Sequence, residues 1–68
     1  MYIQVKYMMA KDEPVARLEV PEGATIKQVR DAINNHDDML MLNGLARQNN
    51  HPVSRGDTIT VMPLLAGG

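Results

Sequence analysis

The sequence predicts an α+β domain, a mixed sheet of four to five strands with one helix packed across it. Three observations carry that expectation. Period-two alternation of apolar and polar residues opens and closes the chain, one stretch of helical period lies between, and turn chemistry separates each segment from the next. With 68 residues the chain has length for one domain, near the lower limit of what a single core stabilises.

Residues 2 to 8 alternate, with Ile3, Val5 and Tyr7 on one side and Tyr2, Gln4, Lys6 and Met8 on the other. That pattern, with β-branched residues on the apolar side, reads as a half-buried strand. Lys11-Asp12-Glu13-Pro14 is a polar turn, and residues 15 to 20 alternate again with Ala16, Leu18 and Val20 on one face. The two stretches form a hairpin. Pro21-Glu22-Gly23 breaks the second strand, and Thr25 stands three residues before Gln28, the spacing of a capping box. Ile26, Val29, Arg30 and Ile33 fall at i, i+3, i+4 and i+7, so a short amphipathic helix of about ten residues follows, with Arg30 snorkelling at the edge of its stripe. Asn34-Asn35-His36-Asp37-Asp38 ends it in a loop.

Residues 39 to 42 make a third strand, and Asn43-Gly44 is a strong hairpin-turn signal. Only a short extended piece fits between residues 45 and 53, because Gln48-Asn49-Asn50-His51-Pro52 is turn chemistry. Ser54-Arg55-Gly56-Asp57 then turns the chain into a last strand over residues 58 to 62, with Ile59 and Val61 on one face. Pro63 cannot donate to a ladder and stops the pairing. The expected division is a domain over residues 1–63 and a flexible Gly-Gly tail over residues 64–68.

Composition narrows the function classes. There is no cysteine, which removes disulfides, thiolate metal sites and thiol redox chemistry. Two tyrosines are the only aromatics, so the core is aliphatic, drawn from Ile, Val, Leu, Ala and some of the six Met. A net charge of −1 with dispersed signs offers no basic patch for nucleic acid. No apolar run approaches a membrane span and no signal-peptide pattern opens the chain, so a soluble cytoplasmic domain is expected. His36 and His51 lack metal-ligand spacing, Asp37-Asp38 has no partnered base, and Ser54 has no nearby His or Asp constellation, so no metal and no catalytic residue of the usual kind is expected. The chemistry-bearing feature is Gly67-Gly68. Without β-carbons its backbone threads a narrow channel, and the Gly68 α-carboxylate becomes a handle at the end of a thin rod.

Three motifs in order, Leu42-Asn43-Gly44, Pro52-Val53-Ser54-Arg55-Gly56-Asp57 and Met62-Pro63-Leu64-Leu65-Ala66-Gly67-Gly68, resemble those of the ubiquitin-like β-grasp sulfur carriers. These are the small subunit of molybdopterin synthase and the thiamine-pathway sulfur carrier. The likeness runs from Tyr2 to Gly68. Pro63 before an apolar tail is more similar to the molybdopterin-synthase subunit, whereas the short length and the Leu-Asn-Gly turn are more similar to the thiamine carrier. The resemblance implies a β-grasp (ubiquitin-like) fold and a non-enzymatic carrier, with catalysis left to partners. An E1-like adenylyltransferase would use ATP to adenylate the Gly68 carboxylate, and a sulfur donor would convert it to a thiocarboxylate. The acceptor would be the molybdopterin synthase large subunit or thiazole synthase, with no cofactor stably bound to the carrier. A ubiquitin-like modifier joined through Gly68 to target lysines uses the same terminus and remains the alternative.

Two partner-binding regions are expected. Residues 64 to 68, fully extended, reach roughly 17 Å beyond the last strand at ~3.3–3.6 Å per residue, enough for Gly67 and Gly68 to enter a partner's active site. Leu64, Leu65 and Ala66 would then pack in the partner's groove. If Ile3, Val5, Leu18, Leu40, Leu42, Ile59 and Val61 face the helix, Met8, Met39, Met41 and Met62 fall on the opposite, open face. Met41 and Met62 occupy positions similar to those of ubiquitin's hydrophobic recognition patch. Pliable methionines clustered on such a face suit a protein interface.

Overall fold

The computed structural model describes residues 1–8 and 15–63. Its elements are β1 (Tyr2–Tyr7), β2 (Ala16–Glu19), α1 (Ile26–Ile33), β3 (Met39–Leu42), β4 (Leu45–Ala46) and β5 (Thr58–Met62). They build one five-stranded sheet in the order β2-β1-β5-β3-β4. β1 and β5 lie side by side and parallel at the centre, and every other pairing is antiparallel. The parallel pair needs a long crossover, which α1 and β3 supply. The domain is therefore closed by a contact between the first and last strands, Gln4 beside Thr58 through Tyr7 beside Val61.

The alternation legible in the sequence becomes one buried face. Ile3, Val5, Leu40, Leu42, Ile59 and Val61 line it, and Ile26 and Val29 of α1 pack onto it from above. Burying each such side chain contributes about 1.5–3 kcal/mol before chain entropy is counted. Ala24 and Val53, outside every strand and helix, complete the core at 1% and 3% exposure. They are held by the segment that carries residues 49 to 53 past the start of α1. Val53 N–H donates to Ala24 O, Ile26 N–H to His51 O and Lys27 N–H to Asn49 O. The first donors of the helix are thereby satisfied within the chain, which leaves no free anion cradle there.

The capping box forms as the sequence predicts. Thr25 Oγ1 accepts from Gln28 N–H, and Gln28 Oε1 accepts from Thr25 N–H. The helix is one of 8 residues rather than about ten, because Asn34 takes the left-handed conformation at φ 54° and closes the last turn. Arg30 does more than snorkel. Its Nε donates to Asn49 Oδ1 at 2.9 Å and its Nη1 to Asp38 O at 2.7 Å and Asn35 O at 3.4 Å, tying the helix to the loop that enters β3. At the sheet edges cover thins. Tyr7 lies on the helix side yet is 42% exposed, and Ala16 on the edge strand β2 is exposed too.

Asn43 and Gly44 both have positive φ, 49° and 89°, the requirement of a two-residue type I′ turn between Leu42 and Leu45. Asn43 also clamps the start of β5. Its Oδ1 accepts from Thr58 N–H and its Nδ2 donates to Asp57 Oδ1, while Asp57 Oδ2 accepts from Ser54 N–H. Two sequence-distant turns are thus locked together at one end of the sheet, opposite the end where Pro63 leaves.

Candidate docking face and the approach to the tail

A sheet with its helix on one side leaves the other side open, and strand register decides what that side shows. Residues that pair across strands share a face. Met39 pairs with Met62, and Met8 N–H donates to Val61 O, which continues the β1–β5 register and sets Met8 beside Met62. Three methionines, Met8 just past the end of β1, Met62 on β5 and Met39 on β3, therefore form a row next to the point where Pro63 ends β5. One step further from that point, Lys6, Thr60, Met41 and Ala46 lie side by side on β1, β5, β3 and β4. A third row holds Arg17, Gln4 and Thr58.

The four methionines singled out from the sequence thus share the open face. Met8 and Met39 are 51% and 39% exposed, and Met41 and Met62 are half-buried against their neighbours. Leu64, Leu65, Ala66, Gly67 and Gly68 lie outside the described residues. What register does establish is the direction of approach: β5 delivers the chain to Pro63 at the methionine end of the open face.

The opposite end has a character that the sequence reading missed. Arg17 lies over the Tyr2 ring, its guanidinium carbon 4.5 Å from the ring centre. Tyr2, Gln4, Arg17, Arg55 and Gly56 line an open groove of about 420 Å³ there. Arg55 reaches Glu22 at 2.7 Å across an exposed pair. The signal available in the sequence was the shared phase of Gln4, Lys6 and Arg17. The arrival of Arg55 beside them depends on the turn before β5, which no periodicity encodes.

The remaining candidates are dispersed. His36 Nε2 lies 3.6 Å from Asp31 Oδ1 on the far surface of the helix, and the backbone of His51 accepts from Ile26 N–H and donates to Gln48 O in the loop against α1. Ser54 and Asp57 serve the turn described above. Among the described residues no three His, Cys, Asp or Glu side chains converge as metal ligands, and no helix is long and apolar enough to cross a membrane. The arrangement offers a surface and, beside it, the end of β5 at Met62 and Pro63.

Residues 16–63 match the family described as ThiS-like ubiquitin. No curated protein sequence matches the chain. Among solved structures, the crystal structure of SAMP1 from Haloferax volcanii superposes with a TM-score of 0.78 at 17% identity, covering 100% of both chains. A ubiquitin from Caldiarchaeum subterraneum gives 0.76 at 22% identity, covering 100% of this chain and 98% of that one. A complex of subunits 1 and 2 of the molybdopterin-converting factor from Helicobacter pylori contains a chain with a TM-score of 0.72 at 19% identity, again covering 100% of both. These likenesses establish the β-grasp, ubiquitin-like fold.

Proposed function

The chain belongs to the ThiS-like ubiquitin family, and on that premise we propose that it is a sulfur carrier whose Gly68 carboxylate is the working group. The observation that carries the reading is the family match, which covers residues 16–63, from β2 through the last strand to Pro63. Beyond Pro63 the sequence supplies two leucines, an alanine and two glycines, a thin segment suited to a partner's channel.

The chemistry follows from the poor electrophilicity of a carboxylate. An ATP-dependent activating enzyme brings ATP, a carboxylate oxygen of Gly68 attacks the α-phosphorus, and pyrophosphate leaves. The resulting acyl adenylate has AMP as its leaving group. Hydrosulfide-level sulfur from a donor attacks the acyl carbon, AMP departs, and the proton goes to solvent, leaving a terminal thiocarboxylate. That sulfur is then delivered to an acceptor synthase in molybdopterin or thiamine biosynthesis. The domain contributes recognition through its open face and reach through residues 64 to 68. Catalytic groups belong to its partners, and ATP is the activating enzyme's substrate.

The Helicobacter pylori structure, a complex of the two subunits of a molybdopterin-converting factor, supports a synthase subunit as acceptor. A second reading, conjugation of Gly68 to lysines of target proteins, is favoured by a different likeness, the small archaeal modifier protein 1 of H. volcanii. Both readings require adenylation, so the test has two parts. Wild-type protein should support ATP–pyrophosphate exchange by its activating enzyme, and deletion of Gly68 should abolish it. A denaturing gel of cell extract should then show the carrier free of isopeptide-linked conjugates. Exchange that survives the deletion sinks both readings, and a ladder of conjugates selects the second.

A further inference from the structure

Asn43 clamps the start of β5 from the one position in the chain where asparagine chemistry is least hindered. Of the five asparagines, Asn34, Asn35, Asn43, Asn49 and Asn50, only Asn43 precedes a glycine. An asparagine side chain is lost when the next residue's amide nitrogen attacks its Cγ, and a glycine there has no β-carbon to obstruct the approach. Gly44 has no heavy atom beyond its chain neighbours within 4 Å of where a β-carbon would sit, and both residues are exposed. The fold nevertheless turns the reacting atoms away from each other. Asn43 sits at φ 49° as the first central residue of the type I′ turn, for which ψ is about +30°. At that ψ its Cβ lies nearly opposite the Gly44 nitrogen across the Cα–C bond, whereas a five-membered ring needs the two eclipsed. The side chain is also held elsewhere. Asn43 Oδ1 accepts from Thr58 N–H at 2.9 Å, Nδ2 donates to Asp57 Oδ1 at 3.1 Å, and the backbone N–H of Asn43 donates to Thr58 O at 2.8 Å.

We propose that Asn43 is a spontaneous modification site, deamidating through its own backbone, and that the fold gates it. In the released turn the Gly44 amide proton passes to solvent base and the nitrogen attacks Asn43 Cγ. The N–Cγ bond forms, the Cγ–Nδ2 bond breaks, and ammonia departs with a proton from solvent. Water, the one co-reactant, then opens the resulting succinimide. Opening at Cγ leaves aspartate at residue 43, and opening at the main-chain carbonyl leaves isoaspartate, whose backbone runs through the former side chain. Nothing is oxidised or reduced. The gate is the end of the hairpin. β4 is two residues long at the edge of the sheet, held through Met41–Ala46 and Leu42–Leu45, with Leu45 58% exposed. Its release requires far less than global unfolding.

Either product breaks the clamp. Aspartate before glycine suits a type I′ turn as asparagine does, so the turn itself accepts that product. The lock to β5 does not. The former Nδ2 becomes a carboxylate oxygen facing Asp57 Oδ1, two acceptors of like charge with no donor between them. Asp57 is fixed in place because its Oδ2 accepts from Ser54 N–H at 2.7 Å. Isoaspartate adds a main-chain carbon to a two-residue loop and loses the register that the turn sets. A copy that has reacted therefore cannot close again as before, and deamidation at Asn43 marks protein whose hairpin has been open.

Peptide mapping by mass spectrometry tests site and gate on the full chain, incubated at neutral pH both folded and in urea. In urea Asn43 should take up the mass of one amide-to-acid exchange ahead of the other four asparagines. In the folded protein the same change should run at least about tenfold more slowly, a retardation set by the opening of the hairpin. Asp57→Ala removes an acceptor of the clamp and should raise the folded rate several-fold without altering the rate in urea. Asn43→Asp, which copies one product, should lower the thermal midpoint by roughly 4–8 °C. Asn43→Asp/Asp57→Asn restores a donor opposite the carboxylate and should recover most of that loss. An Asn43 that lags the other asparagines in urea overturns the site. Equal rates at Asn43 in folded and unfolded protein overturn the gate, as does an Asp57→Ala protein with the wild-type folded rate. An Asn43→Asp protein as stable as wild type, or no recovery from the second substitution, overturns the broken clamp.

Discussion

Replacing Arg30 by methionine separates an arginine that merely covers the edge of an apolar stripe from one that holds two elements together. Arg30→Met keeps an unbranched stem of similar reach and removes the donors. Three hydrogen bonds are lost, at 2.7 Å to Asp38 O, 2.9 Å to Asn49 Oδ1 and 3.4 Å to Asn35 O. The longest contributes little. Hydrogen bonds from a charged donor are worth about 1.5–3 kcal/mol each when sheltered, and Arg30 is half-buried, so the two short ones together contribute about 2 kcal/mol. For a domain of this size that corresponds to a fall in Tm of roughly 8–16 °C. Equilibrium urea unfolding by circular dichroism should show the midpoint drop with the slope unchanged. A double-mutant cycle with Asn49→Ala should return a coupling of about 0.5–1.5 kcal/mol, the part that belongs to the Arg30–Asn49 contact. Loss below about 0.5 kcal/mol, within the range of an ordinary surface change, would refute the tie and restore the snorkelling picture. Because Asp38 immediately precedes Met39, amide exchange at the start of β3 should accelerate in the same variant.

Other perturbations address single links. Thr25→Ala removes the acceptor that receives Gln28 N–H and should cost about 1 kcal/mol in the same urea experiment. Gly44→Ala meets no atom within 4 Å, so its cost is purely that of a β-carbon at φ 89°, about 1–2 kcal/mol, with the hairpin register kept. A large additional loss would mean that the turn has changed type. Met62→Asp alters a half-buried position on the open face and should cost about 1–3 kcal/mol of stability. A folded Met62→Asp protein with full affinity for its activating enzyme would remove the methionine row from the docking surface.

Much of this was written locally in the sequence. The period-two runs placed β3 and β5 at residues 39–42 and 58–62, and the Thr25–Gln28 spacing placed the capping box, because each signal depends on residues within a few positions of one another. The phase of β3 and β5 also placed Met39, Met41 and Met62 on one face before any pairing was known. What eluded the sequence depends on where distant segments arrive. Val53 and Ala24 enter the core only because residues 49 to 53 pass over the start of α1, and Arg30 finds Asn49 for the same reason, while it reaches Asp38 O across the loop that follows the helix. The helix ended early because Asn34 adopts the left-handed cap, a tolerance of asparagine that apolar periodicity does not report. Likewise the groove at the end of the open face away from Pro63 exists because the turn at Arg55-Gly56 folds beside Tyr2 and Arg17.

The central claim is that Gly68 carries sulfur, and intact-mass spectrometry tests it most directly. Protein incubated with ATP, its activating enzyme and a sulfur donor should gain the mass of one sulfur-for-oxygen exchange, confined by fragmentation to Gly68 and reversed when an acceptor synthase is supplied with its substrate. Adenylation that proceeds while the terminus returns to an unmodified carboxylate would contradict the account.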